Sequence, residues 1–340
     1  MKTLMRARGA LYGLAIGDAL GMPTQMLSRP QIVARWGTLL AGFEPAPPGH
    51  PIAAGLPAGT VTDDTEQAIL LGRLLVRGHG AVGTRELAQA LVSWERDMAA
   101  RGSLDLLGPS TKRAVAAVLA GVPPEEAGAS GATNGAAMRI APVGIAVNLD
   151  LPDPRRAVRP TLSILTDQVE AASRVTHHTG VALAGAAAVA AAVSAGVSGA
   201  GPGEATAFAV DAAGIAASRG HWVAGADVAA RIEWATGLVT GLDSAAAADV
   251  IYTLVGTSLA TQESVPAAFA VLAAVPDDPW QACLLAASLG GDCDTIAAMA
   301  GAVAGACHGL GALPADALAV IDAQDLGLTA LADDLCALRS

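Results

Sequence analysis

Two short stretches at opposite ends of the chain carry the same chemistry. Gly290-Gly291-Asp292-Cys293-Asp294-Thr295 follows one apolar run and opens another, Ile296 to Ala306. Gly59-Thr60-Val61-Thr62-Asp63-Asp64-Thr65 precedes the apolar run from Ala68 to Val76. In each, glycine makes a turn without steric cost, and carboxylates and hydroxyls follow where a helix begins. If the two helix starts meet, Asp63, Asp64, Asp292 and Asp294 converge with Thr62 and Thr295. Four carboxylates in one place repel one another unless cations neutralise them, and two divalent cations would balance the charge. The donors are all oxygen, which selects hard metals such as Mg, Mn or Ca over Zn or Cu. Capping is the simpler reading of either stretch alone. Asp and Thr are ordinary N-caps, and Asp63 with Glu66 has capping-box spacing. A residue at a helix start can cap and ligate at once. The paired occurrence, in a chain with few charges, favours the metal reading.

The elements that must position these residues are helical. Small apolar segments of ten to twenty residues run between Gly and Pro breaks, and alternating β-branched runs are almost absent. The periodicity predicts helices over 4–20, 63–77, 84–100, 110–120, 135–147, 160–172, 177–197, 204–218, 226–240, 245–259, 265–274, 279–289, 294–308 and 328–339. Ala and Gly in such quantity let helix backbones approach closely, so a compact, layered all-α body is expected. The loop 42–59, rich in Pro and Gly, delivers the chain to Thr62.

Composition narrows the function classes. The chain has 340 residues, 53% hydrophobic and 15% charged, ample for a large core. No long linker divides it, so residues 1–340 read as a single domain. A net charge of -11 with scattered basic residues argues against nucleic acid as a partner. Four cysteines without Cys-x-x-Cys spacing read as buried small residues in a reduced, cytoplasmic compartment. Lys2, Arg6 and Arg8 before an apolar run imitate a signal peptide. Asp18 interrupts that run and no cleavage site follows, so export is not expected. Val181 to Val197 is mostly Ala and Gly, which suits a packed buried helix better than a membrane span, and no membrane partner is expected.

The chemistry-bearing stretches fall in a fixed order. Gly13-Leu14-Ala15-Ile16-Gly17-Asp18 is followed by Thr62-Asp63-Asp64-Thr65, by Gly131-Ala132-Thr133-Asn134-Gly135, by Thr176-His177, by Glu263-Ser264-Val265-Pro266 and by Asp292-Cys293-Asp294-Thr295. Together they resemble the ADP-ribosylglycohydrolase family, whose members include the dinitrogenase reductase-activating glycohydrolases. Each motif alone is weak, and the ordered set covers nearly the whole chain. The resemblance implies an all-α hydrolase with a central dinuclear site holding two divalent cations, Mg or Mn. Thr62, Asp63 and Asp64 would supply one side of that site, and Asp292, Asp294 and Thr295 the other. It also implies that Gly131, Thr133 and Asn134 hold the diphosphate or distal ribose, and that His177 contacts substrate. Asn134 capping its helix and His177 satisfied by backbone are the plain alternatives. The implied reaction is metal-assisted hydrolysis of an N- or O-glycoside, with a water oriented at the anomeric carbon and an oxocarbenium-like transition state favoured by carboxylates. Asp292 is the candidate base, with Asp64 beside it among the catalytic carboxylates.

Three departures from the family pattern bear on substrate. Gln25 stands where many members carry a gating Glu, and Gln cannot act as a base. Asp105 is one residue too early to match the Asp that meets a guanidinium in arginine-specific members. Ala132 occupies a position that is aromatic in some members, and the chain is only 3% aromatic. The expected partner is therefore an ADP-ribosyl or ribosyl substrate, including an ADP-ribosylated protein or nucleotide. A nucleoside or other small ribosyl metabolite is the alternative, and a non-catalytic ADP-ribose-binding relative a third reading.

Overall fold

Gly9, Gly13, Gly17 and Gly21 recur every fourth residue along the first helix, Lys2–Gly21, and so share one face. In the computed structural model, which describes residues 1–100, 108–149 and 159–339, that face lies against the helix Cys293–His308. The contact is backbone to backbone. A Cβ on Gly13 would stand 2.1 Å from the Gly301 carbonyl oxygen, and one on Gly17 2.0 Å from that of Ala297. A Cβ on Gly21 would stand 2.2 Å from the Asp294 Cα. Glycine at this spacing therefore sets the distance between the two helices. Gly9 meets Gly305 while Gly21 meets Asp294, so the pair runs antiparallel. The end of the first helix, with Asp18, is thereby carried to the start of the later one, with Asp292 and Asp294.

The other helices wrap this pair. Gly180–Ser198 packs on Cys293–His308, on Pro202–Ala216 and on the short Ala141–Ala146. Pro279–Ala287 and Thr261–Ala274 lie against Cys293–His308, and Leu328–Ala337 covers Lys2–Gly21. Asp63–Arg77 contacts both helices of the central pair, and that docking brings its N-terminus to the site. Among the described residues there is no strand. Two isolated bridges, Thr133 with Ala260 and Thr179 with His221, are the only extended pairings there. Gly180–Ser198 is long and apolar enough to cross a membrane by composition, yet 94% of it is buried inside the protein. Alanine and glycine account for that burial, since they permit helices on several sides at once.

The expected helices 63–77 and 84–100 are present as Asp63–Arg77 and Thr84–Ala100. The expected helix 135–147 is divided into Gly135–Met138 and Ala141–Ala146. Pro142 has no N–H to return to the preceding turn, so the chain restarts there. The helix expected from 265 begins earlier, at Thr261, and carries Pro266 inside it. The Gln262 carbonyl that Pro266 cannot satisfy instead accepts from Arg231 Nε at 3.0 Å. Arg29–Trp36, Pro124–Ala127 and Ala315–Asp322 are helices that the periodicity missed. Asp105 lies outside the described residues.

Candidate active site

Asp18 builds one wall of the site. It is fully buried and accepts from Thr62 N at 2.9 Å, Thr62 Oγ1 at 2.7 Å, Thr65 N at 3.1 Å and Thr65 Oγ1 at 2.5 Å. An acid on the first helix thus caps the helix Asp63–Arg77 from outside, and the local caps are released. Thr62, the N-cap residue, makes no side-chain capping bond. Glu66 turns away to accept from Trp94 Nε1 at 2.7 Å, so the Asp63–Glu66 capping box is not formed.

The opposite wall comes from a glycine turn. Gly290 and Gly291 have φ of 89° and 71°, the left-handed region that glycine enters without strain. A Cβ on Gly291 would also meet the Thr257 carbonyl oxygen at 2.3 Å. The turn is tied by Gly291 N to Leu27 O at 2.8 Å, Met26 N to Gly291 O at 2.7 Å and Asp292 N to Thr257 O at 2.7 Å. Asp292 then starts its helix without capping it through its side chain.

A third segment closes the site. Thr261 Oγ1 donates to Ala132 O at 2.9 Å and Asn134 N to Leu259 O at 3.0 Å, which laces the loop 131–134 to 259–261. Asn134 does not cap its helix either. Its Nδ2 donates to Asp292 Oδ2 at 2.5 Å and to Ser264 Oγ at 3.0 Å. Ser264 lies in a motif that is visible in the sequence, but its bond to Asn134 spans 130 residues and has no local signal.

These walls enclose a cavity of about 260 Å³. Gln25, Asp63, Asp64, Thr133, Asn134, Asp292, Asp294 and Thr295 line it, with Lys112 and the apolar Ile52, Met138 and Leu259. Three expected site residues stand behind its wall. Thr62 is turned to Asp18. His177 lies beyond Thr133, with Nε2 3.0 Å from Thr133 Oγ1. Gly131 packs so closely on Thr176 that a Cβ would sit 1.9 Å from the Thr176 carbonyl oxygen. Cys293 is buried with its thiol pushed up by desolvation and near Thr24 Oγ1 at 3.2 Å, so it stays neutral between the acids. A larger cavity of about 520 Å³ elsewhere sets Glu66, Asp97 and Asp325 against Arg73 and Arg77, so most of its acid charge is met by arginine.

In the smaller cavity four carboxylates face a single lysine, Lys112. Asp63, Asp64, Asp292 and Asp294 are all buried. Burial first, then the neighbouring carboxylates, raise Asp63, Asp64 and Asp294 well above the usual carboxylate range. Burial pushes Asp292 to about 6, opposed by hydrogen bonds from Asn134 and Thr295. Asp64 Oδ1 and Asp294 Oδ1 are buried with no hydrogen-bond partner. Thr62 Oγ1 and Thr295 Oγ1 each lie 3.4 Å from Asp64 Oδ2. Among the described residues, no three His, Cys, Asp or Glu side chains are gathered tightly enough to form a ready-made cation cluster. The donor set nevertheless fits hard divalent cations, since orphaned buried carboxylate oxygens are costly unless a positive charge meets them.

A sequence model of the ADP-ribosylglycohydrolase family matches residues 1–340. An uncharacterised Escherichia coli protein, YegU, is 35% identical over 95% of this chain and 93% of its own. An uncharacterised Archaeoglobus fulgidus protein is 30% identical, covering 88% and 86%. The ADP-ribosyl-[dinitrogen reductase] glycohydrolase of Rhodospirillum rubrum is 25% identical, covering 93% and 90%. Among solved structures, an ADP-ribosylglycohydrolase-related protein complex superposes with a TM-score of 0.68 at 26% identity, over 100% of this chain and 99% of that one. With the ordered motifs, the helical fold and these matches together, the chain belongs to the ADP-ribosylglycohydrolase family.

Proposed function

We propose that the protein hydrolyses the glycosidic bond of an ADP-ribosyl substrate, an ADP-ribosylated protein or nucleotide, with two divalent cations, Mg or Mn, held by Asp63, Asp64, Asp292 and Asp294 with Thr295, and with Thr62 backing that set through its bond to Asp18. One observation carries this reading: two helix starts 229 residues apart (292 − 63) line one cavity with carboxylates, and Asp64 and Asp294 each present a buried oxygen without a donor. Divalent cations bound there would hold ribose hydroxyls and make a coordinated water more acidic. The residues of this chain do the remainder. Asn134, anchored by Ser264, fixes the Asp292 carboxylate and leaves it placed to take the proton of the attacking water. Asp64 adds negative charge where the oxocarbenium-like carbon becomes positive. The Rhodospirillum rubrum relative is named for an ADP-ribosylated protein substrate, which supports the ADP-ribosyl class.

The cavity itself favours a second reading. Its lining includes no Phe, Tyr or Trp, so an adenine would find no ring to stack on. A nucleoside or another small ribosyl compound is the alternative substrate on that ground. The deciding experiment incubates the protein, with Mn²⁺ and with a chelator, against ADP-ribosyl-arginine and ADP-ribosyl-serine peptides and a panel of nucleosides. Released ADP-ribose, ribose and free base are quantified. Metal-dependent release of ADP-ribose supports the first reading. Release of ribose from nucleosides alone selects the second, and no release from any compound contradicts both.

A further inference from the structure

Arg139 is fully buried and bonds in two directions. Its NH1 donates to Gln67 Oε1 at 2.8 Å and its NH2 to Thr176 Oγ1 at 2.6 Å. Neither of these bonds is to an acid. Burial lowers its pKa to about 10, which leaves it charged at neutral pH.

Arginine is donor-only, so it fixes the direction of every hydrogen bond that follows from it. On one side, Gln67 must turn its carbonyl to Arg139 and its amide nitrogen outward, and Gln67 Nε2 donates to Asp63 Oδ2 at 3.1 Å. On the other, Thr176 already accepts from Arg139. Thr176 is buried, and His177 Nδ1 lies 2.7 Å from its Oγ1. A buried hydroxyl proton left without an acceptor costs on the order of 1–3 kcal/mol, so Thr176 donates to Nδ1. His177, buried and with its pKa held well down by burial and by Arg139 and Arg113, is then neutral with its proton on Nε2. That proton goes to Thr133 Oγ1 at 3.0 Å. Thr133 lines the cavity, and with its oxygen accepting from Nε2 its own proton can be given to a group bound there.

We propose that Arg139 is a positioning residue which, through Gln67 and Thr176, sets hydrogen-bond polarity on both sides of the site, so that Asp63 is held as an acceptor and Thr133 offers its hydroxyl proton to a phosphate or hydroxyl oxygen of the substrate. The proposal deepens the ADP-ribosyl reading and rests on it only for the identity of that oxygen. The relay explains why Thr176-His177 and the loop 131–135 are so tightly apposed: a Cβ on Gly135 would meet His177 Cε1 at 2.9 Å.

The test begins with the unaltered protein. Two-bond ¹H–¹⁵N spectra of histidine-labelled protein, with the His177 signal identified by its loss in His177→Gln, should show a neutral ring protonated on Nε2 at pH 7. A ring protonated on Nδ1, or a charged ring, overturns the relay. Thr176→Val and Thr176→Ser are then compared, with ADP-ribose as the probe at saturating Mn²⁺. Loss of one such bond, about 1.4 kcal/mol, corresponds to roughly tenfold weaker binding for Thr176→Val. Thr176→Ser should keep both the tautomer and the affinity within twofold, and Mn²⁺ affinity should be the same in all three proteins. A Thr176→Val protein with wild-type tautomer and affinity, or a Thr176→Ser protein with an altered tautomer, overturns the proposal. Should wild type bind no ADP-ribose, the ADP-ribosyl reading fails, and the spectra still decide the relay.

Discussion

The spacing of the central helix pair is open to a one-atom test. In Gly17→Ala the new Cβ would lie 2.0 Å from the Ala297 carbonyl oxygen, against about 3.4 Å for ordinary contact. The helices must separate locally by about 1.4 Å (3.4 − 2.0), because backbone on both sides leaves no rotamer to absorb the clash. Overpacking of this kind costs about 1–3 kcal/mol, and the lost backbone contacts at Gly13 and Gly21 add to it. Alanine recovers about 1 kcal/mol of helix propensity, so a net loss of about 2 kcal/mol is expected. With an unfolding entropy of about 2.1 cal/mol/K per residue, 340 residues give about 0.7 kcal/mol/K, and Tm falls by about 3 °C. Gly214→Ala is the control. Its Cβ enters open space on the helix Pro202–Ala216, so it should gain stability by about 0.5–1 kcal/mol. Calorimetric Tm and Mn²⁺ affinity are measured on both. Gly17→Ala should also bind Mn²⁺ at least tenfold more weakly, since Asp18 and Asp294 flank the crossing. A Gly17→Ala protein as stable as Gly214→Ala, with wild-type Mn²⁺ affinity, would refute the argument that this contact positions the site.

Two further outcomes follow from single side chains. Gln25 is buried on the cavity wall with Nε2 unpartnered, so Gln25→Glu places a fifth carboxylate among four. Mn²⁺ affinity should rise by at least about threefold and the pH–rate profile should shift; if both are unchanged, Gln25 does not face the cations. His177 is held neutral, with a folded pKa below its unfolded value of about 6.5. Its contribution to stability is therefore complete above pH 6.5 and declines by about 1.36 kcal/mol per pH unit as the pH falls through that value. Urea unfolding from pH 7 to 5 should show a shallower decline for His177→Gln than for wild type, and parallel curves would contradict the assignment.

What the sequence made legible was local or ordered along the chain. The Asp63–Arg77 start, the Gly290–Gly291 turn and the Asn134 loop could each be read from residue types. The capping alternative was equally legible, and only tertiary contacts decide it: Asp18 takes over the cap of Asp63–Arg77, and Asn134 spends its amide on Asp292. Gln67 and Arg139 carried no signal, because a Gln and an Arg inside helical runs are ordinary until their partners are known. The helix Arg29–Trp36 escaped because its polar face dilutes the apolar period, although Ser28 and Gln31 form a capping box there. His177 was expected to touch substrate; it stands behind Thr133, a place that depends on how closely Gly131 and Gly135 let two segments approach.

The central claim is that the four carboxylates bind divalent cations that the reaction requires. Titration calorimetry of Mn²⁺ into chelator-stripped protein, run beside the hydrolysis assay for wild type and Asp294→Asn, tests it directly. The account predicts two equivalents bound by wild type, the loss of at least one in Asp294→Asn, and turnover in wild type that vanishes on stripping and returns with Mn²⁺. Full turnover by a protein shown to be metal-free, or no Mn²⁺ binding by wild type, would contradict it.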